Sequence, residues 1–106
     1  PDRVYNCGPM HRSTVERRLK DAHQRLKRAR AELAVIDEQF AVVSDIADDT
    51  RLKALVAETP IASREHDEAS RHAAAMGRTR EALRASIAEL EQRQNDLLDR
   101  LVVGPS

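Results

Sequence analysis

The sequence predicts an all-α protein built as an antiparallel helical hairpin, that is, a coiled coil of two helices. In two stretches, seam residues recur at alternating steps of four and three, the period that keeps one stripe facing a partner helix. The step Thr59-Pro60 separates the stretches and marks a helix start. Composition agrees, because 34% charged and only 2% aromatic residues are typical of long helices with narrow seams.

The two seams define a heptad register in which Val15 occupies position d. The first seam consists of Val15, Leu19, Ala22, Leu26, Ala29, Leu33, Ile36, Phe40 and Val43. The second consists of Ala69, Ala73, Met76, Arg80, Leu83, Ile87, Leu90, Gln94, Leu97 and Leu101. If the chain folds back at Thr59-Pro60, the numbers of facing residues sum to a nearly constant value. Ala22 then faces Leu97, and large residues face small ones at several levels, which favours close packing.

Local signals predict where the helices begin and end. The capping box Ser13-Thr14-Val15-Glu16 predicts that the first helix begins near Thr14. The second helix is predicted to run from Pro60 to about Val103, where Gly104-Pro105 stops it. The predicted organisation is an extended arm over 1–12 that is native or derived from cloning, a hairpin over 13–103, and a tail over 104–106.

Two interpretations of the segment before the turn remain open. In the first, the first helix continues to Glu58, because neither Gly nor Pro interrupts it. In the second, the helix breaks near Ser44–Asp48, where propensity is poor, and Asp48 or Asp49 caps a short third helix at the turn.

The charged residues that flank the seams differ between the two sides of the hairpin. At e positions, Arg30 is predicted to face Glu91 and Asp37 to face Arg84, which are opposite in sign. At g positions the predicted pairs are arginines, which form a basic edge: Arg18, Arg25, Arg93 and Arg100. Like charges do not stabilise a hairpin, so this edge is either solvated or binds an acidic partner.

Apolar residues outside the seam widen the apolar surface and are the candidate partner-binding residues: Val35, Val42, Ile46, Leu52, Leu55, Val56 and Leu98. A hairpin of two helices buries little by itself, so a wider stripe indicates a third surface. That surface is the short third helix, a second copy that completes a four-helix bundle, or another protein. The resulting prediction is a non-enzymatic interaction or scaffold module that associates with itself or with a protein partner.

An acidic cluster near the predicted turn supports a different hypothesis. Asp45, Asp48 and Asp49 suit the start of a helix, where carboxylates favour the dipole. The spacing Asp45-x-x-Asp48 on a coiled coil also resembles regulators that insert an acidic tip into the secondary channel of bacterial RNA polymerase. That resemblance implies regulation of transcription, although the zinc-binding cysteines and globular second domain of those families have no counterpart here.

Other functional classes are disfavoured by composition and motifs. The single cysteine, Cys7, leaves no internal disulfide and no cysteine-based zinc site. No histidine pair has the spacing of metal ligands, so no metal or other cofactor is expected. No phosphate loop or nucleophile elbow is present, so no catalytic residue is predicted. A net charge of zero disfavours nucleic acid, and the absence of a membrane-spanning or signal segment predicts a cytoplasmic protein.

Overall fold

The computed structural model describes residues 11–103, and they form two long α-helices packed antiparallel against each other as a hairpin. Helix α1 spans Arg12–Ala57, with 46 residues, and helix α2 spans Pro60–Val103, with 44 residues. Residues 11–103 contain no strand. The all-α hairpin fold is therefore confirmed. Most of the predicted arm, and the tail over 104–106, lie outside the described residues.

The chain divides into two compact units, each containing a segment of both helices. The terminal unit comprises Pro1–Arg30 and Ser86–Ser106, of which 11–30 and 86–103 are described, and the turn unit comprises Ala31–Ala85. Each unit is considered by itself below.

Helix α1 begins at Arg12, two residues before the predicted start, and the predicted capping box does not form. The backbone carbonyl of His11 accepts hydrogen bonds from the amides of Thr14 and Val15, at 3.0 and 3.1 Å. Ser13 lies inside the first turn and so cannot cap it. The Glu16 carboxylate instead lies 3.2 Å from Nε of Arg12.

Helix α1 then continues without a break to Ala57, so the continuous interpretation is correct and the structure shows no short third helix among residues 11–103. Asp49 does not cap a helix but pairs with Lys53 one turn later, at 3.1 Å. The hydroxyl of Thr50 donates a hydrogen bond to the carbonyl of Ala47 at 2.9 Å, so this hydroxyl has its partner within α1. The seam also continues past Val43, because its next positions are half-buried: Ala47, Thr50 and Ala54.

Only two residues, Glu58 and Thr59, join the helices. Glu58 has a φ of 52°, and its amide donates to the carbonyl of Ala54 at 3.1 Å, which ends α1 in the left-handed conformation usual for helix C-termini. Oγ1 of Thr59 accepts from the amide of Ala62 at 3.2 Å, so Thr59 is the N-cap of α2 and Pro60 its first residue. The predicted start of the second helix is confirmed.

The terminal unit contains an apolar core at predicted seam positions. Its central cluster and the partly buried residues packed against it are Val15, Ala22, Leu97, Leu19 and Leu101. Leu26 and Ile87 are also buried in this unit. On its e flank, Nη2 of Arg30 lies 2.8 Å from Oε2 of Glu91, which confirms the predicted cross-helix ion pair.

The seam of the turn unit includes polar side chains, among them that of Arg80. Arg80 occupies an a position, and its Nε lies 2.6 Å from Oδ1 of Asp37. The prediction that Asp37 pairs with Arg84 is therefore wrong. Arg84 instead lies 3.5 Å from Glu81. The guanidinium of Arg80 lies over the Phe40 ring at 5.3 Å, a cation–π contact that directs it out of the seam towards Asp37.

Gly77 leaves room for that ring. A Cβ atom at this position would lie 3.2 Å from Cε1 of Phe40, closer than ordinary van der Waals contact. The glycine in the interior of α2, which costs about 1 kcal/mol relative to alanine, is therefore explained by the close approach of Phe40.

Candidate interaction surfaces

The buried residues are confined to one unit. All five buried hydrophobic residues belong to the terminal unit: Val15, Ala22, Leu26, Ile87 and Leu97. None of residues 31–85, all of which the structure describes, is buried. The turn unit is therefore held together by half-buried seam contacts and has no core of its own.

Exposed hydrophobic residues show the opposite distribution. Seven of the nine large hydrophobic residues that are exposed in the described chain lie in the turn unit: Val35, Val42, Ile46, Leu52, Leu55, Val56 and Ile61. Their exposed fractions range from 50% at Ile46 to 85% at Val56. All seven residues that the sequence proposed as partner-binding are exposed, but Leu98 lies in the terminal unit and is separate from the others.

In the heptad register, most of these residues lie on one flank of the turn unit. We call this the g flank, the side on which g positions of both helices lie. Val35, Val42 and Val56 occupy c positions and Ile46 a g position, and c and g are neighbours on a helix surface. Leu55 occupies a b position, on the other side of α1, and so does not belong to this flank.

Two apolar grooves run along the g flank of the turn unit, each with a volume of about 490 Å³. The groove beside the turn is lined by Leu52, Lys53, Val56, Ala57, Thr59, Ile61, Ala62 and Glu65. The second groove is lined by Glu38, Gln39, Val42, Val43, His72 and Met76. Three of the predicted partner-binding residues, Val42, Leu52 and Val56, thus line grooves between the two helices.

Sequence reasoning missed two exposed hydrophobic residues, Ile61 and Val102. Ile61 is 67% exposed and lines the groove beside the turn, and Val102 in the terminal unit is 85% exposed. Ile61 follows Pro60 directly and lies outside the seam residues that the sequence defines. Extending the second seam back to Ala62 places Ile61 at a c position, and this signal could have identified it.

The acidic cluster lies within α1 and away from the turn. Asp45, Asp48 and Asp49 are exposed and precede Glu58 by nine to thirteen residues, which is about 13–20 Å along an α-helix. These carboxylates do not stand at a helix start, because α1 has no break there. Three large apolar side chains, those of Leu55, Val56 and Ile61, lie closer to the turn than these carboxylates.

The basic edge is only partly brought together. Arg18, Arg93 and Arg100 line one depression of about 220 Å³ in the terminal unit, together with Asp96 and Leu97. Arg25 does not line it, and its Nη1 lies 3.9 Å from the Asp21 carboxylate on the same helix. All four arginines are exposed.

The two units also carry opposite charge, although the whole chain is neutral. The described part of the terminal unit holds ten Lys and Arg residues against six Asp and Glu, and the turn unit holds seven against eleven. The surplus is therefore four positive charges in one and four negative charges in the other. The basic tract at the start of α1 is thus not fully neutralised by the acidic residues of α2.

Of the two histidines in the turn unit, His66 has hydroxyl groups as neighbours. Nδ1 of His66 lies 3.5 Å from the Thr50 hydroxyl and 3.3 Å from the Ser70 hydroxyl. Within residues 11–103, no three His, Cys, Asp or Glu side chains are grouped so that they could hold a metal ion. Nor does either helix contain an apolar stretch long enough to cross a membrane over the described range.

Comparisons with protein-family models, curated proteins and solved structures found no match.

Proposed function

We propose that this chain is a non-enzymatic interaction module that self-associates through the g flank of its turn unit, forming a four-helix bundle from two hairpins. One observation carries the proposal: the turn unit has no buried residue but holds seven of the nine exposed large hydrophobic residues. Apolar patches of this kind, rimmed by polar residues, mark protein interaction sites.

The energetics favour a reversible assembly. Full burial of a Val, Leu or Ile side chain contributes about 1.5–3 kcal/mol, and these side chains are already partly covered, so each would add about 1 kcal/mol. Five exposed residues of the turn unit lie at c or g positions: Val35, Val42, Ile46, Val56 and Ile61. Their burial in both copies would contribute about 10 kcal/mol, which is comparable with the cost of association. We therefore expect a dimer whose population depends on protein concentration.

A second copy is the occupant that the surface fits. The grooves on the g flank are separated by exposed apolar side chains such as Ile46, so one hairpin offers both ridges and grooves. The flank also carries both signs of charge, with Lys53 beside Asp49 and Glu65 in the same groove lining as Lys53. A two-fold axis could therefore place the same patch of each copy against the other, which is the commonest arrangement in homodimers.

Sedimentation equilibrium over low to high micromolar concentration tests the proposal. Ile46→Glu should raise the dimer dissociation constant at least tenfold, because it places a charge in the interface of both copies. Leu55→Glu is the matched control, since Leu55 is similarly exposed in the same unit but lies at a b position. We expect the control to change the constant by less than about threefold.

Two results would contradict self-association through this flank. A wild-type chain that stays monomeric at high micromolar concentration would exclude the four-helix bundle and favour a foreign protein partner. A dimer that Ile46→Glu and Leu55→Glu weaken equally would place the interface elsewhere.

The alternative function is regulation of transcription by insertion of Asp45, Asp48 and Asp49 into RNA polymerase. No observation favours it specifically, because a tip inserted turn-first would present Leu55, Val56 and Ile61 before these carboxylates. It predicts that Asp45→Asn with Asp48→Asn leaves the fold unchanged and abolishes an effect on polymerase. Polymerase activity that is unaffected by the wild-type chain would exclude it.

A further inference from the structure

The depression in the terminal unit has the composition of an anion site. Arg18 from α1 and Arg93 and Arg100 from α2 line it, and the buried side chain of Leu97 lies among them. None of the three arginines has an ion pair or hydrogen bond with another residue of the described chain. We propose that this depression, the arginine site, binds a phosphate monoester.

The arrangement of charges is not explained by the stability of the hairpin. On the e flank of the same unit, Arg30 faces Glu91 and forms an ion pair at 2.8 Å. On the g flank, the three arginines share one depression although like charges repel. The described part of the unit has a surplus of four positive charges, so its own carboxylates do not compensate for them.

Charge balance favours a dianion as the ligand. Asp96 also lines the depression, and its Oδ1 accepts a hydrogen bond from Nε2 of Gln92 at 3.0 Å. Three guanidinium groups and one carboxylate leave two positive charges, and a phosphate monoester carries about −1.5 to −2 at neutral pH. Such a ligand would neutralise the site, whereas a carboxylate or a phosphodiester carries one charge and would do so only in part.

The residue type and the size of the site favour phosphate as well. A guanidinium group is planar and donates two parallel hydrogen bonds to phosphate oxygens, whereas a lysine acts as a point charge. The three terminal oxygens of a monoester can each accept from a different arginine. A depression of about 220 Å³ is large enough to admit one phosphate group.

A phosphate monoester can come from two sources, a phosphorylated side chain of a protein and a nucleoside monophosphate. Titration of the full chain with a phosphoserine peptide, with AMP and with the diester dimethyl phosphate separates them. The shifts of the arginine Nε–Hε signals in NMR spectra report the dissociation constants. The proposal expects the peptide or AMP to bind at least fivefold more tightly than dimethyl phosphate, and the tighter of the two identifies the source. Equal binding of the diester, or no shift with any probe, would overturn it.

Substitutions separate a defined site from general attraction to a basic surface. Arg93→Glu with Arg100→Glu should weaken binding at least tenfold. Arg17→Glu with Arg28→Glu removes the same charge from exposed positions of the same unit that do not line the depression, and should weaken binding less than threefold. Equal losses in the two variants would show that net charge alone attracts the ligand and would overturn the arginine site.

Two further variants keep the test independent of folding. Arg93→Lys with Arg100→Lys retains the charge and should still weaken binding about fivefold, because bidentate hydrogen bonding is lost. Asp96→Asn should tighten binding, because it removes a carboxylate from the site and keeps an acceptor for Gln92. An Asp96→Asn variant that binds more weakly than wild type would contradict the assigned position of the phosphate. Neither result depends on self-association, which involves residues of the turn unit.

Discussion

Glu58 is the one described non-glycine residue with a positive φ, and its replacement tests the description of the turn most directly. Its φ of 52° lies in the left-handed region, where the Cβ atom of an L-residue approaches the following carbonyl oxygen. The amide of Glu58 nevertheless ends α1 by donating to Ala54 at 3.1 Å. Glycine is the usual residue at this position because it has no Cβ atom.

The expected gain from Glu58→Gly follows from two opposing terms. Relief of the left-handed conformation is worth about 1–2 kcal/mol. Glycine loses more conformational freedom on folding, which costs about 0.5–1 kcal/mol. The net stabilisation should therefore be about 0.5–1 kcal/mol, or roughly 3–6 °C in Tm for a domain of this length.

Thermal and urea unfolding followed by circular dichroism measure this change, at one fixed protein concentration because self-association would also raise Tm. Glu58→Ala is the matched control, since it removes the same charge and keeps the Cβ atom. The charge itself should matter little, because Glu58 lies after the C-terminus of α1 and before the N-terminus of α2, where its dipole interactions oppose each other. If Glu58→Gly proves no more stable than Glu58→Ala, the strain assigned to this residue is wrong.

Three further predictions concern the helices. Thr59→Ala should lower stability by about 1 kcal/mol, because it removes the N-cap of α2, and an unchanged urea midpoint would refute the cap. Cysteines at Ala29 and Leu90 in the terminal unit should form an intramolecular disulfide, detected as a monomeric band that migrates differently after reduction, whereas linkage only between chains would contradict the hairpin. Gly77→Ala should change stability by less than about 0.5 kcal/mol, because its gain in helix propensity is offset by displacement of Phe40. In a Phe40→Leu background the same change should stabilise by about 1 kcal/mol, and equal effects in both backgrounds would exclude the steric explanation.

The fold could be predicted because its signal is spread over many residues. Every seam position named from the sequence, from Val15 to Val43 and from Ala69 to Leu101, is buried or half-buried. A single unexpected residue, such as Arg80 at an a position, does not disturb so long a pattern. The turn was predictable for a different reason, since Thr59-Pro60 suits only the start of a helix in this context.

Details that depend on single side chains were less predictable. The capping box at Ser13 failed because α1 begins two residues earlier, and the same four residues are compatible with either start. The partner of Asp37 was assigned from e positions alone, but Arg80 is long enough to reach from the seam. Its position over Phe40 is a tertiary contact, which heptad spacing does not encode.

Residues of the proposed surfaces could be identified from the sequence, but the grooves and the depression that they line could not. Val42, Leu52 and Val56 were recognised as lying outside the seam, whereas the grooves that they line exist only once α2 supplies Met76 and Ile61. The arginine site required the same step, because only three of the four predicted arginines share the depression.

The contrast between the units follows from which residues occupy equivalent heptad positions. In the terminal unit, a and d positions hold side chains such as Leu26 and Leu97, which are buried. In the turn unit, the same positions include Thr50, His66 and Arg80, which stay half-buried and use their polar groups in contacts with neighbours. Other large apolar residues of this unit stand at c and g positions, outside the seam: Val35, Val42, Ile46, Val56 and Ile61. A hairpin that evolved only to fold would gain more by exchanging these two sets, because burial of apolar side chains is the main source of stability. Their present placement makes the seam less apolar and the outer face of the turn unit more apolar, which is the distribution we expect if the proposed second copy of the chain packs against that face.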